Sequence, residues 1–326
     1  MKGLFNDSYD EASIYIAAVL GRERIFRMVW NDDLVTRADD QSLKYALQGG
    51  SVEILETILK EDSSLVKRYK RRNRTSALAA AAGHGNSDVV RYLLSIGDGP
   101  TNHVDKDNQT PIFKALESDD LDTVQALLEH RKIDVNCTSI RRVETTPLEH
   151  AVNVACSGEV VSALLAHPKI DPNIKNKYGR TPLHEGFTQA YYQRMQIAEV
   201  LFPHDSVDKN TVDDSGRTPW QEAVRSSVEM LEMFLPYVHR NKIWHSDNDG
   251  KTALENSAVF VRPTVAARPI APDLGITKET VKEALEGAKK SLDTYEERWD
   301  PRARETQETI QATITLLSEF LAGREG

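Results

Sequence analysis

The amino-acid sequence predicts an all-α repeat protein, because one short motif recurs about every 34 residues along the chain. Four tripeptides begin with Thr-Pro and end in an apolar residue: Thr110-Pro111-Ile112, Thr146-Pro147-Leu148, Thr181-Pro182-Leu183 and Thr218-Pro219-Trp220. An Ala or a Gly stands five residues after each of these threonines. Such a period is typical of stacked helical units that share one continuous core.

Each part of the motif has a physical reason. A Thr hydroxyl accepts hydrogen bonds from the free N–H groups at a helix start, and a Pro in the first turn lacks an N–H that would otherwise have no partner. The small residue lets two helices approach closely. A second apolar stripe follows, as in Val89-Val90 with Leu93-Leu94, and its spacing predicts a second helix. Asp, Asn and Gly then gather before the next Thr and predict a turn.

Weaker copies extend the pattern in both directions, starting at Ala12, Gln41, Ser76 and Thr252. The clearest copy is Gly179-Arg180-Thr181-Pro182-Leu183-His184, which resembles the G-x-T-P-L-H motif of the ankyrin-repeat family. The resemblance covers about residues 12–260. It implies an all-α ankyrin-repeat solenoid of about eight repeats, some of them degenerate, with hairpins and a concave binding surface.

The repeat pattern divides the chain into four segments. Residues 1–40 are an N-terminal capping repeat, 41–260 are ankyrin repeats, 261–276 are a Pro-containing connector and 277–326 are a pair of helices. The apolar stripes of the helical pair need a partner face. We expect them to cover the last repeat as a C-terminal helical cap on a monomeric chain. The alternative is a seam between two chains, which would suit a regulatory or self-associating protein.

Composition narrows the class of protein. The chain has 40% apolar residues and a formal net charge of −9, which indicates a soluble acidic protein. No apolar run approaches the roughly 18 residues of a membrane helix, and the N-terminus does not resemble a secretory signal. The two cysteines, Cys137 and Cys156, suit a reducing compartment. We therefore expect a cytoplasmic or nuclear protein that needs no membrane, metal or cofactor.

One segment carries an unusual charge. Lys67–Arg74 contains six cations in eight residues, and the repeat pattern places it in a loop or hairpin between the second and third repeats. A solvated loop balanced by distant acids is the plainest interpretation, and a nuclear-import signal or a nucleic-acid patch are the alternatives. The negative net charge opposes a phosphate backbone, so we expect no general nucleic-acid binding.

The resemblance also implies where a partner would bind, since the family binds through hairpin tips and the ends of the first helices. These positions are mostly basic here and are expected to face solvent, which favours a protein partner with an acidic patch. The sequence therefore predicts a non-enzymatic interaction scaffold with a concave, locally basic groove, whose rigidity limits the entropy lost on binding. The candidate binding residues are Arg142, Lys177, Tyr178, Arg180, Thr188, Gln189, Tyr191, Arg217 and Arg225.

The alternative is an enzyme with a pocket near the inserted Tyr191-Tyr192 segment. Histidines and carboxylates occupy equivalent positions in successive repeats, and such groups can perform acid–base chemistry. A structural role is the preferred interpretation of His184, and we assign no catalytic residue. A deep pocket with converging titratable groups would favour the enzyme, and a shallow groove would favour the scaffold. The residues in question are Glu149, His150, His184, Glu185, Gln221 and Glu222.

Overall fold

A computed structural model describes most of the chain up to residue 250. The described residues are 7–30, 38–97, 101–105, 108–139, 144–187, 191–224, 237, 245–250 and 286. They form helices joined by turns and hairpins, and no extended strand occurs among them. The chain divides into two compact units, Met1–Asp171 and Pro172–Gly326.

Among the described residues, eleven helices belong to the first unit and three to the second. The helices of the first unit are α1 (Asp7–Val19), α2 (Glu23–Trp30), α3 (Asp40–Gly49), α4 (Val52–Glu61), α5 (Leu65–Asn73), α6 (Ala77–Gly83), α7 (Ser87–Ser95), α8 (Pro111–Ser118), α9 (Leu121–Leu128), α10 (Pro147–Asn153) and α11 (Gly158–Leu165). Those of the second unit are α12 (Pro182–Glu185), α13 (Tyr191–Leu201) and α14 (Pro219–Val224). None of the described helices is long and apolar enough to cross a membrane.

The first unit has two layers of helices. The first helices of successive pairs, α1, α3, α6, α8 and α10, contact one another in that order. The second helices, α2, α4, α7, α9 and α11, form a parallel row in the same order. The small residue of each repeat is buried in the first row, where it permits the close helix approach that the motif predicts; these residues are Ala17, Ala46, Ala81, Ala115 and Ala151.

The predicted caps form at some helix starts and not at others. The hydroxyl of Thr146 accepts a hydrogen bond from the N–H of Glu149 at 3.2 Å, and Ser76 caps α6 in the same way. Thr110 does not cap α8 with its side chain. Its hydroxyl lies 3.5 Å from the sulfur of Cys137 instead, so the cap prediction is wrong at this repeat.

The basic segment Lys67–Arg74 is helical rather than a loop or hairpin. It forms most of α5, which buries Leu65, Val66 and Tyr69. That spacing is typical of an amphipathic helix, but the surrounding cations obscured it in the sequence. The helix ends at Asn73 and is followed by Arg74, whose φ of 55° is left-handed. The prediction of a solvated loop is therefore wrong.

At three places among the described residues, an asparagine side chain links one hairpin segment to the next. The Nδ2 of Asn136 donates to the carbonyl oxygen of Lys169 at 2.7 Å, and its Oδ1 accepts from the N–H of Asp171 at 3.0 Å. One amide thus satisfies two backbone groups of the following segment. The same pair of bonds joins Asn102 to Lys132 and Asp134, and Asn173 to Ser206 and Asp208.

Several sequence predictions fall outside the described residues. These are the eighth repeat after residue 250, the connector at 261–276 and, apart from Glu286, the helical pair at 277–326. The C-terminal cap and the monomeric state therefore stay predictions.

Two glycines of the second unit should respond oppositely to alanine. Gly179 has a φ of +71°, and an added Cβ would lie 2.4 Å from Asp214 Oδ1 and 2.7 Å from Asp214 N. Gly186 has a helical φ of −54°, and its Cβ would meet no atom closer than 3.4 Å. Gly179→Ala should therefore lower the free energy of unfolding by at least about 1–2 kcal/mol, whereas Gly186→Ala should be neutral or stabilise by up to ~1 kcal/mol. Chemical denaturation measures both, and equal destabilisation would contradict this geometry.

Candidate functional site

The hairpins of the second unit are fixed by polar side chains at their bases. The Oδ1 of Asn176 accepts from the N–H groups of Tyr178 at 2.9 Å and Arg180 at 3.2 Å. The backbone closes the same turn, where the N–H of Gly179 donates to the carbonyl oxygen of Asn176. Asp213 holds the next hairpin with the equivalent bonds. The tip residues therefore stand on a defined backbone.

Successive hairpins are also bonded to each other within this unit. The N–H of Asp214 donates to the carbonyl oxygen of Tyr178 at 3.0 Å, and the N–H of Asn248 donates to that of Ser215 at 2.9 Å. The side chain of Asn248 adds a bond to the carbonyl oxygen of Asp214. The hairpins at 176–180, 213–217 and 247–250 are thus joined by hydrogen bonds into one surface, the hairpin surface.

Two of the predicted binding residues, Arg180 and Arg217, are engaged within the protein. Their side chains are only 20% and 32% exposed. Arg180 lies 3.4 Å from a carboxylate oxygen of Glu185 and 3.9 Å from one of Glu222. Arg217 lies 3.6 Å from Glu222 and 3.8 Å from Asp247.

In these ion pairs the two arginines alternate with carboxylates. The prediction of a solvent-facing, locally basic surface is therefore wrong for Arg180 and Arg217. The physical reason is the helix that follows each hairpin. Glu185 and Glu222 both stand four residues after the Thr of their repeat, and each helix start brings its carboxylate to the arginines beside it. The sequence analysis did not pair these carboxylates with the arginines. Their constant position, four residues after the Thr of each repeat, could have indicated the pairing.

His184 has a structural role. It is completely buried, its Nδ1 accepts from the N–H of Thr181 at 3.1 Å, and its Nε2 donates to the carbonyl oxygen of Arg217 at 3.1 Å. Burial lowers the pKa of His184 to about 4, although the bond to the Arg217 carbonyl opposes this shift. The imidazole is therefore neutral at physiological pH and joins two successive hairpins.

The other groups of the enzyme alternative offer no support for catalysis. Glu185 and Glu222 form ion pairs with the arginines, and the ring of His150 packs edge-on against Phe113 at 5.2 Å between centroids. Within the described ranges, no three His, Cys, Asp or Glu side chains cluster so as to hold a metal ion. Glu185, Glu222 and His150 thus have contacts within the fold.

Tyr178 is the predicted binding residue that is most clearly available to a partner. It is 52% exposed at a hairpin tip, and the ammonium of Lys177 lies 5.0 Å from its ring centroid. A cation over an aromatic face is a favourable arrangement. The pair therefore presents an amphipathic ring and a positive charge on a fixed backbone.

The remaining candidates cannot be placed in this site. Arg142, Thr188, Gln189 and Arg225 lie outside the described residues, and Tyr191 begins α13 with a side chain that is not described. Their assignment to a binding surface stays a prediction.

Comparison with known proteins identifies the repeats. A family model for ankyrin repeats, in three copies, matches residues 43–139. The fold resembles the ankyrin-repeat domain of Bcl-3, a member of the IkappaB protein family, with a TM-score of 0.53 and 20% identity over 68% of this chain and 97% of that one. Residues 43–139 are thus ankyrin repeats, and the described residues have the ankyrin-repeat fold. The human ASB11 ankyrin-repeat domain is similar too, with a TM-score of 0.51 and 25% identity over 65% of this chain and 89% of that domain.

The relatives in sequence are proteins of very different kinds. Human transient receptor potential cation channel subfamily A member 1 is 29% identical over 166 residues, which is 49% of this chain and 14% of the channel. The rice E3 ubiquitin-protein ligase XB3 is 30% identical over 157 residues, which is 45% of this chain and 34% of the ligase. The chain thus spans about a third or less of the length of these curated relatives, and the similarity identifies the repeats rather than an activity.

The buried His184 predicts a pH dependence of stability. Its pKa falls from 6.5 to about 4 on folding, so the unfolded chain binds the proton more tightly. The contribution of the neutral His184 to the free energy of unfolding is complete above the unfolded pKa. It is lost as the pH falls from about 6.5 toward 4. At ~1.4 kcal/mol per pKa unit the loss amounts to a few kcal/mol.

The variant His184→Gln tests this dependence. Gln221 occupies the equivalent position in the next repeat, and its Oε1 accepts from the N–H of Thr218 at 2.9 Å, so glutamine can retain the backbone bond without titrating. Urea denaturation at pH 7.5 and pH 5 should show a smaller loss of stability for the variant than for the unchanged protein. An identical loss in both would rule out His184 as the cause.

Proposed function

We propose that this ankyrin-repeat protein is a non-enzymatic interaction module that binds a protein partner through the hairpin surface of its second unit. Ankyrin repeats are generally protein–protein interaction modules. The observation that carries the proposal is the half-exposed ring of Tyr178 on a hairpin that Asn176 fixes and the next hairpin supports. A tip that is ordered before binding loses little entropy when it binds, and Tyr is favoured at binding hot spots.

The partner surface would combine an apolar pocket for Tyr178 with an acidic patch near Lys177. Arg180 and Arg217 are already balanced by carboxylates, so they contribute little net charge to the partner. An exposed ion pair with Lys177 adds at most about 1 kcal/mol. The ring of Tyr178 therefore provides most of the affinity, and salt should weaken binding only modestly.

A reducing compartment suits this module. Cys137 and Cys156 are free thiols. Burial raises the pKa of Cys137 to about 11 and that of Cys156 to about 12, so both remain protonated and poorly reactive at neutral pH. A monomeric module in the cytoplasm or nucleus is part of the same proposal.

Affinity capture with the full chain tests the proposed surface. The unchanged protein, Tyr178→Ala and a control are immobilised, and bound proteins are quantified by mass spectrometry. Val154→Ala is a suitable control, since Val154 is also an exposed apolar residue, at 45%, but lies in the first unit. A hot spot of at least about 2 kcal/mol corresponds to a loss of roughly thirtyfold or more in affinity.

The specific partner should thus be captured by Val154→Ala as by the unchanged protein, and should not be captured by Tyr178→Ala. Circular dichroism confirms that both variants keep their helices. A partner that Tyr178→Ala captures as well as the unchanged protein does would exclude the hairpin surface.

A further inference from the structure

Helix α5 divides its cations between two sides. On one side, the guanidinium of Arg68 lies 2.9 Å from a carboxylate oxygen of Asp62 and 3.3 Å from one of Asp40. Arg72 lies 2.8 Å from the other oxygen of Asp40. These two arginines thus have their counter-charges within the first unit.

The other side of α5 lines a cavity of about 870 Å³ in the first unit. Lys67, Lys70 and Arg71 contribute to this wall, and His130 and Lys132 join it from the segment after α9. No Asp or Glu occurs among its described lining residues. The cavity therefore concentrates positive charge in a chain that is acidic as a whole, and such focusing raises the local concentration of anions.

The positive charge of α5 also affects the pKa of a nearby histidine. Burial lowers the pKa of His103, and the ammonium of Lys70 lowers it further. Within the described ranges, no carboxylate forms an ion pair with Lys70 or Arg71. An anionic ligand would relieve the repulsion among these cations.

Apolar residues form another part of the cavity wall. Val66, Leu78, Leu93 and Leu94 line it together with Ala77. The volume lies within the range of about 300–1,000 Å³ that is usual for small-ligand sites. The cavity therefore offers an apolar group a surface to cover beside the cationic wall.

We propose that this cavity docks a short acidic segment of a protein partner, with one apolar side chain on Val66, Leu78 and Leu93 and flanking carboxylates on the cavity-lining cations of α5 and on Lys132. The inference rests on the proposed function and adds to it a docking site in the first unit. A small polyanion would satisfy the cations but leave the apolar wall uncovered. An extended nucleic acid would meet the repulsion of a chain with a net charge of −9.

Selection from a randomised peptide library on the immobilised full chain tests the docking site. The enriched peptides should combine acidic residues with a Leu, Ile or Phe. Their binding is then measured by fluorescence polarisation to a cavity variant, Lys70→Gln with Lys132→Gln. The control, Arg27→Gln with Arg72→Gln, removes the same charge from arginines that pair with Glu53 and Asp40.

The cavity variant should bind the enriched peptides at least about tenfold more weakly, and the control should stay within about twofold. Circular dichroism establishes that both are folded, and Lys67→Gln with Arg71→Gln provides a second cavity variant. Peptides without acidic residues, or equal binding to both variants, would overturn the proposal.

Two further outcomes separate this proposal from the function it rests on. Peptides that lose binding with Tyr178→Ala, but not with the cavity variant, would overturn the cavity site and leave the hairpin surface intact. If no peptide is enriched, and pyrophosphate raises the melting temperature of the unchanged protein but not of the cavity variant, the cavity binds small polyanions and the peptide proposal is wrong.

Discussion

The asparagine amide that bridges neighbouring hairpin segments is the constraint on which the rest of this architecture depends. Stacked helix pairs bury apolar faces, but the hydrophobic effect has little directionality and does not by itself fix the register of the loops. An amide can donate and accept at once. Asn102, Asn136 and Asn173 each use both capacities to hold two backbone groups of the following segment. Each of these amides therefore fixes one segment relative to the next.

This arrangement governs the chemistry of the hairpin surface. Once successive hairpins stand side by side, the carboxylates at the helix starts reach the arginines of their own and the preceding hairpin. The arginines then stabilise the stack instead of facing a partner. At the hairpin tip, the half-exposed ring of Tyr178 and the ammonium of Lys177 are the groups that the proposed partner would contact.

Local patterns in the sequence predicted the helix pairs well, because each depends on a few adjacent residues. Ala115 and Ala151 are buried where the motif places a small residue, and Thr146 caps its helix as expected. The failures are contacts between repeats. The sulfur of Cys137 contacts the hydroxyl of Thr110, which is 27 residues away in the sequence. No local pattern around Thr110 predicts this contact.

The conformation of the basic segment was predicted wrongly, although counter-charges far along the chain were expected. The cations of α5 resembled a solvated loop because the helical stripe of Leu65, Val66 and Tyr69 is short. The distant acid Asp40, which pairs with Arg68 and Arg72, is 28 and 32 residues away. Stacking brings such ion-pair partners together from different repeats. The sequence predicts them only after each side chain has been assigned a position within its repeat.

Native-state hydrogen exchange on Asn136→Ala tests the role of the asparagine amide most directly. The substitution leaves the carbonyl of Lys169 and the N–H of Asp171 without the bonds seen here. We expect faster exchange at the Asp171 amide and a free energy of unfolding lower by about 1–3 kcal/mol, while Thr138→Ala, at an exposed position two residues away, should change neither. Unchanged exchange and stability in Asn136→Ala would show that helix packing alone sets the register and would contradict this account.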